Sequence, residues 1–162
     1  KSKIFNPIKG IFGDVARLVG IDGNSKMSKS LGNTIYLSDS EEVIKEKVKK
    51  MYTDPTRVHP TDPGKVEGNP VFIYHDAFNS NTLEVNDLKE RYALGKVGDV
   101  EVKDKLTKAI NNFIDPIREK RKYFENHKDE VLDILKKGNE DVKKEAEITM
   151  NMVRKAMGIN YF

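Results

Sequence analysis

The stretch 106–117, LTKAINNFIDPI, decides the class of fold. Leu106, Ala109, Ile110, Phe113, Ile114 and Ile117 fall at i, i+3, i+4, i+7, i+8 and i+11. That spacing lines one face of an α-helix and no face of a strand. Pro116 lies inside the pattern. Its ring crowds the preceding turn and it has no N–H, so the reading predicts a kink there or a boundary between two helices.

The same periodicity extends outward in both directions. Downstream, Val131, Leu132 and Leu135 predict a short helix ending before Gly138, and Val142, Ala146, Thr149, Met150, Val153 and Met157 predict a last one. Upstream, Val85, Leu88 and Tyr92 mark a helix with Gly95 as its stop. Asn69-Pro70 is a helix start: Asn accepts at the N-cap, and Pro fits the first helical position without losing a needed N–H. Val71, Tyr74, His75 and Phe78 follow along one side. Before a Pro- and Gly-broken loop over 56–68, Val43, Ile44, Lys47, Val48 and Met51 share a face. Ser38 and Glu41 have capping-box spacing ahead of that face, and Thr53-Asp54-Pro55 closes it. Residues 1–37 are different: Gly-rich, without helical period, with short β-prone runs at Val15–Val19 and Thr34–Leu37. The expected fold is therefore mainly α, with five or six amphipathic helices packed round one core over 38–162 and a short strand-and-loop segment over 1–37.

Composition removes several classes of function. Lys plus Arg number 29 and Asp plus Glu 26, so a net charge of +3 permits a basic face without declaring a nucleic-acid binder. There is no cysteine, which excludes disulfides and thiolate metal sites. His59, His75 and His127 are isolated and lack metal-ligand spacing, so no metal site is expected. No apolar run is long enough to span a bilayer and no secretory signal is present, which makes a soluble, cytoplasmic protein without membrane contact the expectation. The opening KSKIFNPIKG reads as something cut from a longer protein.

Chemistry concentrates at 23–33, GNSKMSKSLGN. Phosphoryl and nucleotidyl transfer load negative charge onto non-bridging oxygens, and an ammonium on a long, flexible stem can neutralise it. Lys26 and Lys29 are three apart and would share a side in a tight turn. Ser28 and Ser30 add hydroxyl donors, and Gly23 and Gly32 permit close approach to a ligand. The residues suit a phosphate clamp; they suit a solvated loop as well. Their order adds more. Lys26-Met27-Ser28-Lys29-Ser30 matches the KMSKS signature of class I aminoacyl-tRNA synthetases, followed by Leu31-Gly32-Asn33 as in many members of that class.

Within that class the text resembles tryptophanyl-tRNA synthetases over nearly the whole chain. The similar stretches are 16–23 (ARLVGIDG), Thr53–Arg57, Asp62-Pro63-Gly64, Glu67–Phe72, Asp76-Ala77-Phe78 and the closing Val153–Gly158. The resemblance implies that 1–37 is the end of a Rossmann-type catalytic domain carrying the signature loop, and that 38–162 is a helical anticodon-binding domain. It implies the C-terminal part of an enzyme that activates tryptophan with ATP and esterifies tRNA(Trp). The class's His-rich nucleotide signature and the tryptophan pocket are not in this text, so the chain alone is expected to be inactive. By the same resemblance Lys26 and Lys29 contact the ATP phosphates as pyrophosphate leaves, Ser28 and Ser30 support them, and Met27 positions the loop or the adenine. Mg2+ accompanies ATP in the whole enzyme. That enzyme is expected to be a homodimer, and this piece a monomer. The rivals are a tyrosyl-tRNA synthetase, a synthetase-like tRNA-binding paralogue without ligase activity, and a helical domain in which the loop has no role.

Two basic clusters are candidates for tRNA backbone contact. Arg118, Arg121 and Lys122 share a side of a helix, with Glu119 and Glu125 as possible partners; Lys47, Lys49 and Lys50 form the second cluster. Tyr123-Phe124 offers rings on which an unpaired base can stack, though one ring of such a pair more often fills core.

Overall fold

The computed structural model describes residues 4–12, 15, 17–23 and 26–159. Five helices follow in order: α1 (Glu41–Lys49), α2 (Pro70–Phe78), α3 (Thr82–Ala93), α4 (Asp99–Asn126) and α5 (Lys128–Met157). No strand occurs among the described residues. The β-prone runs at 15–19 and 34–37 are therefore irregular where they are described (Ala16 lies outside those residues). Among the described residues they form no ladder of backbone partners; beside them, Ile21 N–H donates to the Asn33 carbonyl at 3.0 Å.

The helix starts follow local chemistry. Ser40, not Ser38, caps α1: its hydroxyl accepts from Val43 N–H at 3.3 Å. Asp39 holds the turn before it, accepting from Tyr36 N–H at 2.8 Å. Glu41 and Glu42 occupy the first turn and Lys47 and Lys49 the last, complementing the helix dipole at both ends. α1 stops at Lys49, short of the Thr53-Asp54-Pro55 breaker, and Lys103 takes up carbonyls at its exit. The Lys103 ammonium donates to Lys49 O at 3.0 Å and Met51 O at 2.8 Å. Asn69 caps α2 through Val71 N–H at 3.0 Å, with Pro70 at the first helical position. Asn81 caps α3 through Glu84 N–H at 3.1 Å, and Gly95, at φ 67°, turns the chain out of it.

Two expected boundaries are absent. α4 runs through Pro116 without a break. The missing N–H costs Asn112 the donor to its carbonyl, and Asn112 is exposed, so water can replace it. α5 runs through Gly138, merging the two predicted C-terminal helices. A glycine in a helix interior costs only about 1 kcal/mol, less than continuing the helix recovers. The end of α5 is a glycine cap, Gly158 at φ 70°.

The chain divides into two compact units, residues 12–119, and residues 1–11 with 120–162. In the first, α1 contributes Ile44 and Val48, α2 Val71, Phe72 and Tyr74, α3 Leu88 and Tyr92, and α4 Val102, Leu106, Ile110 and Ile114 to one core. Phe72 and Tyr92 meet edge to face at 5.0 Å. Leu18, Val19, Met27 and Ile35 pack against this core from the irregular segment, so the signature loop is seated on it. His75 is wholly buried. Its Nε2 lies 3.0 Å from Val102 O, which can only accept, so Nε2 carries the proton and Nδ1 accepts from Asn79 Nδ2 at 3.3 Å. In the second unit, α5 has no buried residue: Leu132, Leu135 and Val142 are exposed. The expected single core is thus built by α1–α4 alone.

Candidate functional site

The signature loop leaves and returns to the core at two neighbouring points. At its start, Gly23 N–H donates to Gly20 O at 3.0 Å, a tight turn with Gly23 at φ 82°. Ile21, buried beneath it, donates to Asn33 O at 3.0 Å and accepts from Tyr52 N–H at 2.8 Å, which ties both feet of the loop to the end of α1. Within the loop, Gly32 N–H donates to Lys29 O at 3.2 Å, and the Ser28 and Ser30 hydroxyls bond each other at 2.8 Å.

Met27 faces inward. It packs against the core and, with Leu18, Ile35, Tyr74, Phe78 and Phe113, borders an apolar cavity of about 150 Å³. Its side chain is thus an anchor for the loop. Tyr74 closes the other side, donating its hydroxyl to Val19 O at 2.7 Å. Burial, with the Asp22 carboxylate nearby, pushes the Tyr74 phenol up to about 12. The outward face carries Lys26 and Lys29. Both are exposed, and neither ammonium has a hydrogen-bond or ion-pair partner among the described residues. Uncommitted cations on a loop with a fixed base are what an incoming polyanion requires: binding need not first break an internal ion pair.

The basic clusters separate on inspection. The Arg118 guanidinium is committed internally. It donates to Asp39 O at 2.9 Å and to Asn111 Oδ1 at 3.2 and 3.1 Å, and it pairs with Asp115. Arg118 thereby clamps α4 to the turn before α1. Lys47 is likewise engaged, donating to Thr34 O at 2.9 Å and Asp39 Oδ2 at 2.6 Å, with its ammonium 4.5 Å from the centre of the Tyr36 ring. Arg121 and Lys122 remain exposed, Arg121 in a solvent-facing pair with Glu125 at 2.8 Å. Lys49 and Lys50 are exposed too. Neither Tyr123 nor Phe124 is core. The Tyr123 ring stacks on His127 at 4.0 Å and its hydroxyl donates to Glu130 at 3.0 Å, while Phe124 meets Tyr123 edge to face.

The sequence alone suggests no role for Asn33. Asn33 is 2% exposed, and its carboxamide sits under the loop, bonded to Asp22, Lys26 and Ser28. The only sequence signal for it is a polar residue directly after Gly32 in the same short stretch. Among the described residues no group of three or more His, Asp or Glu is placed to hold a metal ion, and no helix is long and apolar enough to cross a membrane.

The family model described as tRNA synthetases class I (W and Y) matches residues 1–115, most of the chain and all of the signature loop. The chain belongs to this family. Tryptophan–tRNA ligase of Treponema pallidum is 51% identical over 158 residues, 98% of this chain and 47% of that protein. The tryptophan–tRNA ligase of Borreliella burgdorferi is 53% identical over 133 residues, 82% of this chain and 38% of that protein. Among solved structures, tryptophanyl-tRNA synthetase from Campylobacter jejuni, complexed with ADP and tryptophan, superposes with a TM-score of 0.73 at 30% identity. That alignment covers 90% of this chain and 44% of the other. The chain thus spans less than half the length of the relatives it matches, and its five helices and strandless described residues fit the helical C-terminal portion expected of these enzymes.

Proposed function

We propose that this chain is the C-terminal part of a tryptophan–tRNA ligase, contributing the phosphate-binding loop and the helical region that meets tRNA(Trp). The observation that carries this reading is the exposed Lys26 and Lys29, without a side-chain partner among the described residues, on a loop tied to the core at Ile21, Met27 and Asn33. Support comes from relatives named tryptophan–tRNA ligase at about half identity over nearly the full chain.

In the activation step the tryptophan carboxylate oxygen bonds to the α-phosphorus of ATP, and the bond from that phosphorus to the bridging oxygen breaks. The electron pair leaves on pyrophosphate. On this reading Lys26 and Lys29 neutralise that growing charge. The Ser28 and Ser30 hydroxyls and the backbone at Met27 supply neutral donors, while the Met27 side chain stays in the core. Mg2+, which would accompany ATP in the whole enzyme, would offset part of the same phosphate charge. A terminal ribose hydroxyl of tRNA(Trp) then bonds through its oxygen to the activated carboxyl carbon and gives up its proton, while the bond from that carbon to the adenylate oxygen breaks and AMP leaves with the electron pair. Residues 1–37 serve the catalytic half, and 38–162 form the anticodon-binding half. Arg121 and Lys122 are the phosphate-contacting candidates there; Arg118, already paired, supports the helix that presents them. The whole enzyme works as a cytoplasmic homodimer.

The test is amino-acid-dependent ATP–pyrophosphate exchange by the full-length parent, with Lys26→Ala and Lys29→Ala beside it. Exchange with tryptophan alone, falling by about 10²–10³ in either variant, is the expected outcome, the size being that of one lost preorganised charge donor. Exchange with tyrosine instead would move the protein to the other branch of its family. Exchange with no amino acid would make it a tRNA-binding paralogue.

A further inference from the structure

We propose that Asn33 is the positioning residue of the signature loop: its buried carboxamide holds the backbone at Lys26 and Ser28 and so sets where the Lys26 ammonium stands. This rests on the phosphate-binding role proposed above and adds a residue that acts through Lys26 without touching nucleotide.

Three side-chain bonds converge on Asn33. Oδ1 accepts from Ser28 N–H at 2.7 Å. Nδ2 donates to Lys26 O at 3.1 Å and to Asp22 Oδ1 at 3.0 Å. Its own carbonyl takes Ile21 N–H at 3.0 Å. The orientation of the amide follows from its partners, since an amide N–H needs the oxygen and a carbonyl needs the NH2 group. No other side chain of this length offers one acceptor and two donors in that plane. Asp lacks the donors, and Leu lacks both. Gln reaches too far for a pocket this tight. The residue is nearly fully buried, so water cannot substitute for a missing bond at no cost.

The space for the carboxamide is made by Gly20. A Cβ there would lie 2.2 Å from Asn33 Nδ2 and 2.5 Å from Asp22 Oδ1. Any larger residue at 20 must displace the carboxamide. Gly20, Asp22 and Asn33 thus form one unit under the loop. It fixes the backbone on both sides of Met27, so that Met27 points into the core while Lys26 and Lys29 face solvent. A bland alternative is that Asn33 only satisfies buried polar groups. The two differ in a measurable way: a residue acting through Lys26 loses its effect once Lys26 is gone.

The experiment measures tryptophan-dependent ATP–pyrophosphate exchange by the full-length parent and its Asn33→Asp, Lys26→Ala and Asn33→Asp/Lys26→Ala variants, with kcat and the KM for ATP and tryptophan separated. Asn33→Asp keeps volume and the Ser28 bond while removing both donors. We expect it to lower kcat at least tenfold with the tryptophan KM unchanged, and to lower it less than threefold in the Lys26→Ala background. Gly20→Ala, which shifts the carboxamide without deleting it, should show the same pattern more weakly. It also serves as the working variant if Asn33→Asp does not accumulate as folded protein. Parent-like exchange in Asn33→Asp while Lys26→Ala is crippled overturns the inference and leaves the loop's function standing. An equal fold-loss with and without Lys26 also overturns it, by showing a purely structural role. Parent-like exchange in both Lys26→Ala and Lys29→Ala removes the phosphate-binding reading itself, and the inference with it.

Discussion

Replacing Arg57 by Ala should destabilise the 12–119 unit by about 3 kcal/mol. The Arg57 side chain is 2% exposed. Its NH2 donates to Pro60 O at 2.5 Å and Val97 O at 2.8 Å, its NH1 stands 3.4 Å from Asp99 Oδ2, and the guanidinium lies 4.1 Å from the centre of the Tyr92 ring. Two bonds from a charged donor contribute about 1.5–3 kcal/mol each, and a desolvated cation on an aromatic face about 2. Against them, Nε and NH1 are buried without a hydrogen bond among the described residues, at about 1–3 kcal/mol each. The balance is a net of about 3 kcal/mol, at the lower end for breaking a buried pair because Asp99 is 32% exposed and water can resolvate it. For a domain near 100 residues that is a fall in Tm of roughly 12–24 °C. Urea titration of the full chain followed by near-ultraviolet tyrosine circular dichroism reads it, since the chain has no tryptophan and Tyr92 lies against the guanidinium. Arg57→Lys keeps a cation but loses the planar fork, and should recover less than half of the difference. A loss below about 0.5 kcal/mol for Arg57→Ala would refute the reasoning, showing that desolvation of the buried guanidinium cancels its bonds.

Two further outcomes can be checked on the same chain. Burial holds His75 below the usual imidazole range, against the opposing pull of the Val102 carbonyl, Glu84 and Asp76. The unfolded chain therefore binds a proton near pH 6.5 that the folded chain refuses, so stability is full above that pH and is lost as pH falls, at no more than about 1.4 kcal/mol per unit. Urea midpoints between about pH 5 and 8 should show this slope, and His75→Gln should flatten it; an unchanged slope would assign it to other groups. Gly95→Ala should cost well over the about 1 kcal/mol of left-handed strain, because its Cβ would meet Thr61 O at 2.1 Å. Gly68→Ala has a similar φ of 73° with nothing within 4 Å, and should cost the strain alone. Equal losses from the two would rule out the clash.

What the sequence discloses here is what lies within one helical turn. Asn69-Pro70 names its cap because acceptor, donor and proline are neighbours. The core face of α4 is legible because Leu106, Ile110 and Ile114 repeat at the helical period. The cap of α1 is displaced from Ser38 to Ser40 because Asp39 is drawn to Tyr36 and Lys47, a choice that spacing cannot rank. Pro116 and Gly138 look like breaks because their penalties are local, whereas the helices continuing past them gain bonds on either side. The basic clusters mislead for the opposite reason. Arg118 reaches Asp39 across 79 positions and Lys47 reaches Thr34 across 13, and nothing in a charge run reports a distant carbonyl. Met27 and Asn33 belong to the same class. Their place beneath the loop is made by residues far along the chain or on the far side of a turn.

The exposed length of α5 implies an uneven isotope-exchange map. Amides of α4 around Ile110 open only when the 12–119 core opens, and should keep their deuterium for as long as that core survives. Thirty residues of α5 have no buried side chain to make their opening depend on that event. Their protection should rise and fall with the helix's own turn-by-turn stability, leaving first near Gly138. A single polypeptide would then report two clocks, a slow one set by a packed interior and a fast one set by hydrogen bonds that water can reach.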